Sequence, residues 1–271
     1  MAVRASAFLA LLPVVALALP AAAAVADPAP PAIGDWNCHP TAEHPRPVVL
    51  IHGTAGGARD WRVLAPRLQA QGRCVFALDY GRDPRILLPL NAFAPMAQSL
   101  DAVGAFTEQV LAATGATQVD LVGHSQGGVL AMQIAQRLGP DAIHSVLAIA
   151  PTTHGTALDG LVDLSDGTGL RPVVDDVLRQ GVCPACADQE VGSEAVDELN
   201  SAPITVPGIR YGILATRQDL VATPGGPGSF VDEPGVIDDL ADDLWPGHVL
   251  EHGSLPRDPL VDDWVCAHLD D

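Results

Sequence analysis

The run Val119-Asp120-Leu121-Val122-Gly123-His124-Ser125-Gln126-Gly127-Gly128-Val129-Leu130 constrains the fold more than any other stretch of the chain. Val119, Leu121 and Val122 form a short apolar segment suited to a buried strand. Val129, Leu130, Met132, Ile134 and Ala135 then recur at helical spacing. Between them, Gly123 to Gly127 match G-x-S-x-G. A serine thus sits at a strand-to-helix turn with a glycine two residues away on either side, the context this pattern needs to present a nucleophile. A Cβ at either glycine would crowd the strand or the helix, and the serine is expected in a strained conformation. The turn lifts the Ser125 hydroxyl clear of the sheet. The N-terminus of the following helix aims its N–H groups at any developing anion.

The rest of the chain reads as one domain behind a leader. Arg4, the apolar run Ala7 to Leu19 and the Ala24-Val25-Ala26 sequence predict an export signal over residues 1–26. The apolar run is too short to span a bilayer comfortably. Residues 27–271, about 245 in all, suit a single α/β domain with a full core. Asp27 to Pro31 read as a loose arm. The chain carries 33 acidic and 14 basic residues, all of the latter Arg, for a net charge of -19. Such a surface repels nucleic acid and anionic membranes. No internal repeat and no membrane-length apolar run follows. A secreted monomer with no nucleic-acid partner and no stable membrane insertion is expected.

Strands alternate with helices through the domain, which predicts a mostly parallel, doubly wound sheet with helices on both faces. Pro47 to Ile51 read as a buried strand running into His52-Gly53-Thr54-Ala55-Gly56-Gly57. A loop of small residues at a strand's carboxyl end lets backbone N–H groups approach a ligand. The N–H groups of Thr54 and of Gln126 are the predicted halves of an oxyanion hole. A P-loop is excluded, since G-x-x-x-x-G-K-[ST] is absent. His52 is read as fixing the loop by hydrogen bonding, and Asp79 likewise. Asp60 to Gln71 are predicted helical, with Asp60 as N-cap and Gly72 as the stop. Ala97 to Ala113 are predicted helical, Ile143 to Ala150 a strand, and Pro259 to Leu269 the last helix.

Residues 155–200 are rich in Asp, Gly and Pro, with one helical segment near Pro172 to Gln180. They are expected to form a loop-rich lid or pocket wall. Ile209 to Ala215 read as a strand followed by Asp219. An acid just past a strand, after the nucleophile in the chain, fits the order Ser…Asp…His, and Asp219 is the candidate orienting acid. Two histidines in the loop before the last helix, His248 and His252, compete as the base. Asp232 to Asp243 read as a solvated acidic face rather than a calcium site, since the D-x-[DN]-x-[DN]-G loop is absent. Of five cysteines, Cys38 and Cys74 are expected to pair. Cys183 and Cys186 are expected to hold the 155–200 region by a structural bridge, with Cys266 a further candidate partner.

In sum of its motifs the chain resembles the secreted class 2 lipases among the α/β-hydrolases. The matching pieces are PVVLIHGT with the following Trp61, CVFALDYG, VDLVGHSQGG, APTTHGT, CPAC, ATRQDLVATP and EHGSLPRDP, in order and over nearly all of the chain after the leader. The resemblance implies that the histidine opening the last piece, His252, is the base. Similar sequences tend to carry a cysteine near where Trp245 stands, pairing with the CPAC region. Here that implies either that Cys266 takes its place or that the bridge is lost.

The implied activity is a secreted serine ester hydrolase acting on acylglycerols through Ser125, Asp219 and His252, with no metal or organic cofactor. A short-chain esterase, or an acyltransferase with the same triad, are the alternatives. With aromatics at 4% of residues, Leu, Val, Ile and Ala are expected to line an acyl pocket.

Overall fold

A computed structural model describes residues 33–86, 89–157 and 161–270. The predicted export signal and the Asp27 to Pro31 arm lie outside the described residues. The elements run β1 (Val48–Ile51), α1 (Leu64–Ala70), β2 (Val75–Ala77), α2 (Met96–Thr114), β3 (Val119–His124), α3 (Gln126–Leu138) and β4 (Ile143–Ile149). They continue with α4 (Leu161–Gly167), α5 (Arg171–Val177), α6 (Pro184–Asp188), α7 (Glu194–Leu199), β5 (Arg210–Ala215), β6 (Ile237–Leu240), α8 (Ala241–Leu244) and α9 (Pro259–Asp270). The six strands form one sheet in the order β2-β1-β3-β4-β5-β6, and every pairing is parallel.

Alternation along each strand divides the core into two layers. From β1, Val49 and Ile51 face the layer that contains Val103 and Val110 of α2 and Val129 and Met132 of α3. Val48 and Leu50 face the other way, onto Leu64 and Leu68 of α1 and Val261, Trp264 and Val265 of α9. All four β1 side chains are fully buried, as a parallel sheet covered on both faces requires. The chain leaves β1 for β2 on one side and returns to β3 on the other. The gap beyond the carboxyl ends of β1 and β3 is therefore the switch point where this class of sheet binds its ligands.

Four expectations are corrected. The helix predicted over 60–71 is a 3-10 turn (Ala58–Trp61) followed by α1. Asp60 lies inside that turn and does not cap a helix; its carboxylate accepts the Gly57 N–H at 2.9 Å. Gly72, at φ +87°, does end α1. Residues 155–200 are mostly helical, with α4 to α7 and a π-turn over Leu178–Val182. The segment predicted helical near Pro172 to Gln180 is α5 with the π-turn after it, while α4, α6 and α7, at five to seven residues each, are too short to show a period.

The acidic run contains a strand, β6, and its acids are bonded rather than merely solvated. Asp238 accepts the N–H groups of Val231 and Asp232. Asp239 accepts Trp264 Nε1–H at 2.8 Å, and Asp242 accepts Thr216 Oγ1–H and the Arg217 N–H. Among the cysteines, Cys38–Cys74 pair as expected, while Cys183 and Cys186 pair with each other. Cys266 is buried and unpaired. It belongs to the α1/α9 layer, whereas Cys183 belongs to the α2/α3 layer, so the sheet stands between them.

Candidate active site

Ser125 follows directly on β3 and precedes α3, at φ 55° and ψ -125°. A side chain in this region carries roughly 1–3 kcal/mol of strain, which the packing on both sides sustains. A Cβ on Gly123 would lie 2.2 Å from the Gly127 carbonyl oxygen, and one on Gly127 would lie 2.2 Å from the Ile51 carbonyl oxygen. The two glycines thus let α3 approach β3 and β1 closely enough to hold the turn. Ser125 N–H donates to the Ile149 carbonyl at 2.9 Å, which ties the turn to β4 as well.

Beside it, the loop after β1 is fixed from below. His52 is buried, its Nδ1 meets the Gly53 carbonyl at 2.8 Å, and its Nε2 accepts the Tyr80 N–H at 3.4 Å. Burial holds the His52 imidazole below the usual histidine range, so it is neutral and accepts. Asp79 accepts the Ala58 N–H at 2.6 Å. Both residues therefore fix the loop, as read from sequence. Thr54 lines the cavity in front of Ser125, and its N–H meets no acceptor among the described residues. Gln126 opens α3, where N–H groups lack intrahelical partners. Its side chain is held under the loop, donating to the Ala92 carbonyl and accepting from Tyr80. That leaves only its backbone N–H for the serine side.

Across the cavity, His252 Nδ1 lies 2.7 Å from Asp219 Oδ2. The other Asp219 oxygen accepts the N–H groups of Val221 and Ala222, each at 2.8 Å. Asp219 is buried and its orientation is set on all sides. A carboxylate on Nδ1 selects the tautomer whose Nε2 is free to take a proton. His248, the competitor, lies 2.9 Å from Asp258 through its own Nε2 and is turned to the surface. Ser125, His252 and Thr54 line one cavity of about 390 Å³.

A model of the α/β hydrolase fold matches residues 46–184, just over half of the 271. The chain belongs to the α/β-hydrolase fold family. Within that family it is 32% identical over 147 residues to a triacylglycerol lipase of Pseudarthrobacter phenanthrenivorans, covering 47% of this chain and 40% of that one. It is 31% identical over 147 residues to a triacylglycerol lipase of Burkholderia plantarii, covering 47% and 36%. The chain thus spans about two fifths of the length of these curated relatives. Among solved α/β-hydrolase structures, lipase B of Aspergillus fumigatus superposes with a TM-score of 0.65 at 16% identity, over 83% of this chain and 52% of that one. A mature lipase of Bacillus licheniformis superposes at 0.61 and 17% identity, over 88% and 96%. Likenesses at such identity speak for the fold.

Three features of this α/β-hydrolase site escaped the sequence. His124 is buried beside His252, ring centroids 4.8 Å apart, and its Nε2–H donates to the His252 carbonyl at 3.0 Å. Burial, reinforced by the neighbouring His252, pushes the His124 imidazole well below the usual range and keeps it neutral. It was legible only as the variable residue of G-x-S-x-G. Arg257 pairs with Asp60, which joins the His252 loop to the loop after β1. Gln189 reaches the cavity from the end of α6; nothing in the sequence around it singled it out. The expected Leu and Ile lining is corrected: among the described residues, Ala55 and Val221 are the aliphatic residues of the wall, with Pro256 beside them. His154 is structural, bonded to Asn200 at 2.6 Å and to the Phe230 carbonyl at 2.8 Å.

Proposed function

We propose that this protein is an exported serine ester hydrolase of the lipase and esterase type, with Ser125 as nucleophile, His252 as base and Asp219 as the acid that orients it. The observation that carries the reading is the 2.7 Å contact between His252 Nδ1 and a fully engaged Asp219, on the rim of the cavity into which a strained Ser125 opens. His252 takes the hydroxyl proton as Ser125 attacks an ester carbonyl. The N–H groups of Thr54 and Gln126 hold the oxyanion. The alcohol departs with the proton returned by His252, and water, activated by the same imidazole, releases the acid. The neutral His124 next to His252 matters here, because a second positive ring would oppose the imidazolium.

Two observations bear on the substrate. Gly53, Ala55, Gly56 and Gly253 in the cavity wall leave room beside Ser125 for an ester carbonyl. Apolar side chains stand exposed outside it: Leu220 is 71% exposed beside Val221, which lines the cavity, and α4 and α5 present Leu164, Val173 and Val177 to the surface. These helices join the cavity wall through Arg171, which donates to the Val191 carbonyl, and through Thr156, bonded to both Val191 and Val221. An apolar surface of this kind favours acylglycerols over small soluble esters. The two disulfides and the leader sequence support export. The seven motifs named above support placement among the class 2 lipases.

Hydrolysis of p-nitrophenyl esters from butyrate to palmitate, with Ser125→Ala as the blank, tests the reading. Serine-dependent activity reaching palmitate is expected. Activity confined to butyrate would make the protein a short-chain esterase, and equal activity in both proteins would remove Ser125 from the mechanism.

A further inference from the structure

A second cavity, of about 480 Å³, lies against the one that holds Ser125 and His252. Ala55 and Gly56 line both. A short stretch of backbone, with one methyl group as its side chains, is thus the ridge between them, and Ala55 is exposed on it. Beyond the ridge the second cavity is lined by Arg59 and Arg82, with Asp79 and Tyr80 behind them. The proposed ester hydrolysis uses none of these four side chains. The Tyr80 hydroxyl donates to the His52 carbonyl, and burial raises it well above the usual phenol range, so it stays neutral. What this cavity offers a ligand is its two guanidinium groups.

Charge makes them unusual. In a chain with 33 acidic residues and a net charge of -19, most of the described arginines sit on carboxylates, among them Arg46, Arg73, Arg85 and Arg217. Arg59 is exposed and forms no ion pair among the described residues. The acid of the cavity wall, Asp79, is occupied from the other side: its Oδ1 accepts the Ala58 N–H at 2.6 Å. Two guanidinium groups facing one carboxylate leave the lining positive within a strongly negative molecule. A guanidinium holds a carboxylate through two parallel N–H···O bonds, with a geometry that a neutral ligand does not match. We propose that the second cavity is a substrate subsite for a carboxylate, held by Arg59 together with Arg82, so that the protein hydrolyses esters that also carry a free carboxylate. The ester carbonyl lies at Ser125 and the charged end crosses the Ala55–Gly56 ridge. The proposal rests on the ester-hydrolase reading above. The acidic surface repels such substrates everywhere else, and this lining offsets that repulsion where they enter.

Steady-state kinetics on matched pairs of esters test it. p-Nitrophenyl hydrogen adipate against p-nitrophenyl methyl adipate places the charge on the acyl side. The butyrate ester of 4-hydroxy-3-nitrobenzoic acid, against the same compound with its carboxyl group methylated, places it on the alcohol side. Arg59→Gln is expected to lower kcat/KM for the charged member of one pair roughly tenfold. The loss should fall on KM, with kcat kept, because the contact is the same in the ground state and the transition state. The neutral members should stay within about twofold of wild type. The pair that responds identifies the side of the ester that crosses the ridge. Adding Arg82→Gln should deepen the loss. Arg62→Gln removes the same charge from an exposed arginine that lines neither cavity, and should change all four rates by about twofold or less.

Unchanged kcat/KM for both charged esters in Arg59→Gln, with Ser125→Ala inactive, would refute the subsite and leave the hydrolase reading intact. So would an equal loss on charged and neutral esters, an equal loss in Arg62→Gln, or a wild-type protein that hydrolyses only the neutral member of each pair. Full activity in Ser125→Ala would overturn the reading on which the subsite rests. Arg59 is at the surface and unpaired, so the single variant decides the matter should the double variant fail to fold.

Discussion

The two walls of the cavity hold their shape by different means. On the side of β1, β3 and α3, side chains are fully buried in two continuous layers, and Gly123 and Gly127 leave no space for a Cβ. On the side of α4 and α5, α5 buries nothing. That wall depends on polar ties: Arg171 pairs with Glu190, Asp175 and Asp166, and one disulfide closes α6. Close packing fixes the proposed nucleophile to within fractions of an ångström. Polar ties leave room for adjustment where substrate enters. A wall that must hold a strained serine and a wall that must admit varied chains are thus built from different forces.

That contrast can be broken at either wall. The largest effect is chemical: Ser125→Ala should lower ester hydrolysis on the order of 10⁴-fold or more while melting at or above the wild-type temperature. An unchanged rate would detach the packed wall from catalysis. Next comes packing. Gly127→Ala drives a methyl group into the Ile51 carbonyl and should cost about 3 kcal/mol, seen as a fall of roughly 10 °C in the melting temperature. A fall of only a degree or two would mean that the elbow yields more than its contacts imply.

On the other wall, Arg171→Ala leaves the buried Glu190 without its cation and should cost about 1–3 kcal/mol locally. Limited proteolysis should then cut within residues 161–182 while butyrate hydrolysis persists. Loss of both together would show that the walls are one unit. A smaller effect is expected of Val173→Ser with Val177→Ser: a severalfold loss on emulsified long-chain esters and none on soluble butyrate, read from the ratio of the two rates.

The smallest effect is in pH, and its sign differs between the walls. His52 and His124 are pushed below the histidine range by burial. The unfolded chain therefore binds more protons as pH falls below about 6.5, and the packed wall loses stability there. Glu190 is shifted the other way, from 4.5 to about 6, by burial and then by the nearby Asp175, against the pull of Arg171. Its penalty is absent below about pH 4.5 and complete above about 6, so acid steadies the polar wall. Amide exchange at pH 5 and pH 7 should show protection falling around β1 and β3 while rising around residues 171–190. Parallel changes in both would dissolve the distinction.

The same division explains what could be read in advance. Strands β1, β3, β4 and β5, helices α2, α3 and α9, the turn at Ser125 and the supports His52 and Asp79 were legible, because buried periodicity and tight glycine spacing leave a mark in sequence. The helical spacing of Val129 to Ala135 falls inside α3 (Gln126–Leu138). Gln189 was not legible. It lines the cavity while bonded to Thr54 and Thr152, which lie 135 and 37 residues away, and a lone glutamine carries no local pattern. Helices α4, α6 and α7 went unread because five to seven residues are too few to show a helical period, whereas α5 falls in the segment predicted helical near Pro172 to Gln180. Strand β6 went unread because its Ile-Asp-Asp-Leu sequence looks like surface, although its carboxylates cap neighbouring backbone and indole N–H groups.

Strand β6 is also the outer edge of the sheet, while β2 at the opposite edge is bridged by Ile33. An exposed edge invites a foreign strand to dock and begin aggregation. Any copy of this chain that tried to extend the sheet at β6 would lay its own Asp238 and Asp239 next to these, within a molecule already carrying a charge of -19. The carboxylates that complete the fold from within thus also guard its open border, and crowded solutions near neutral pH should leave that border unpaired.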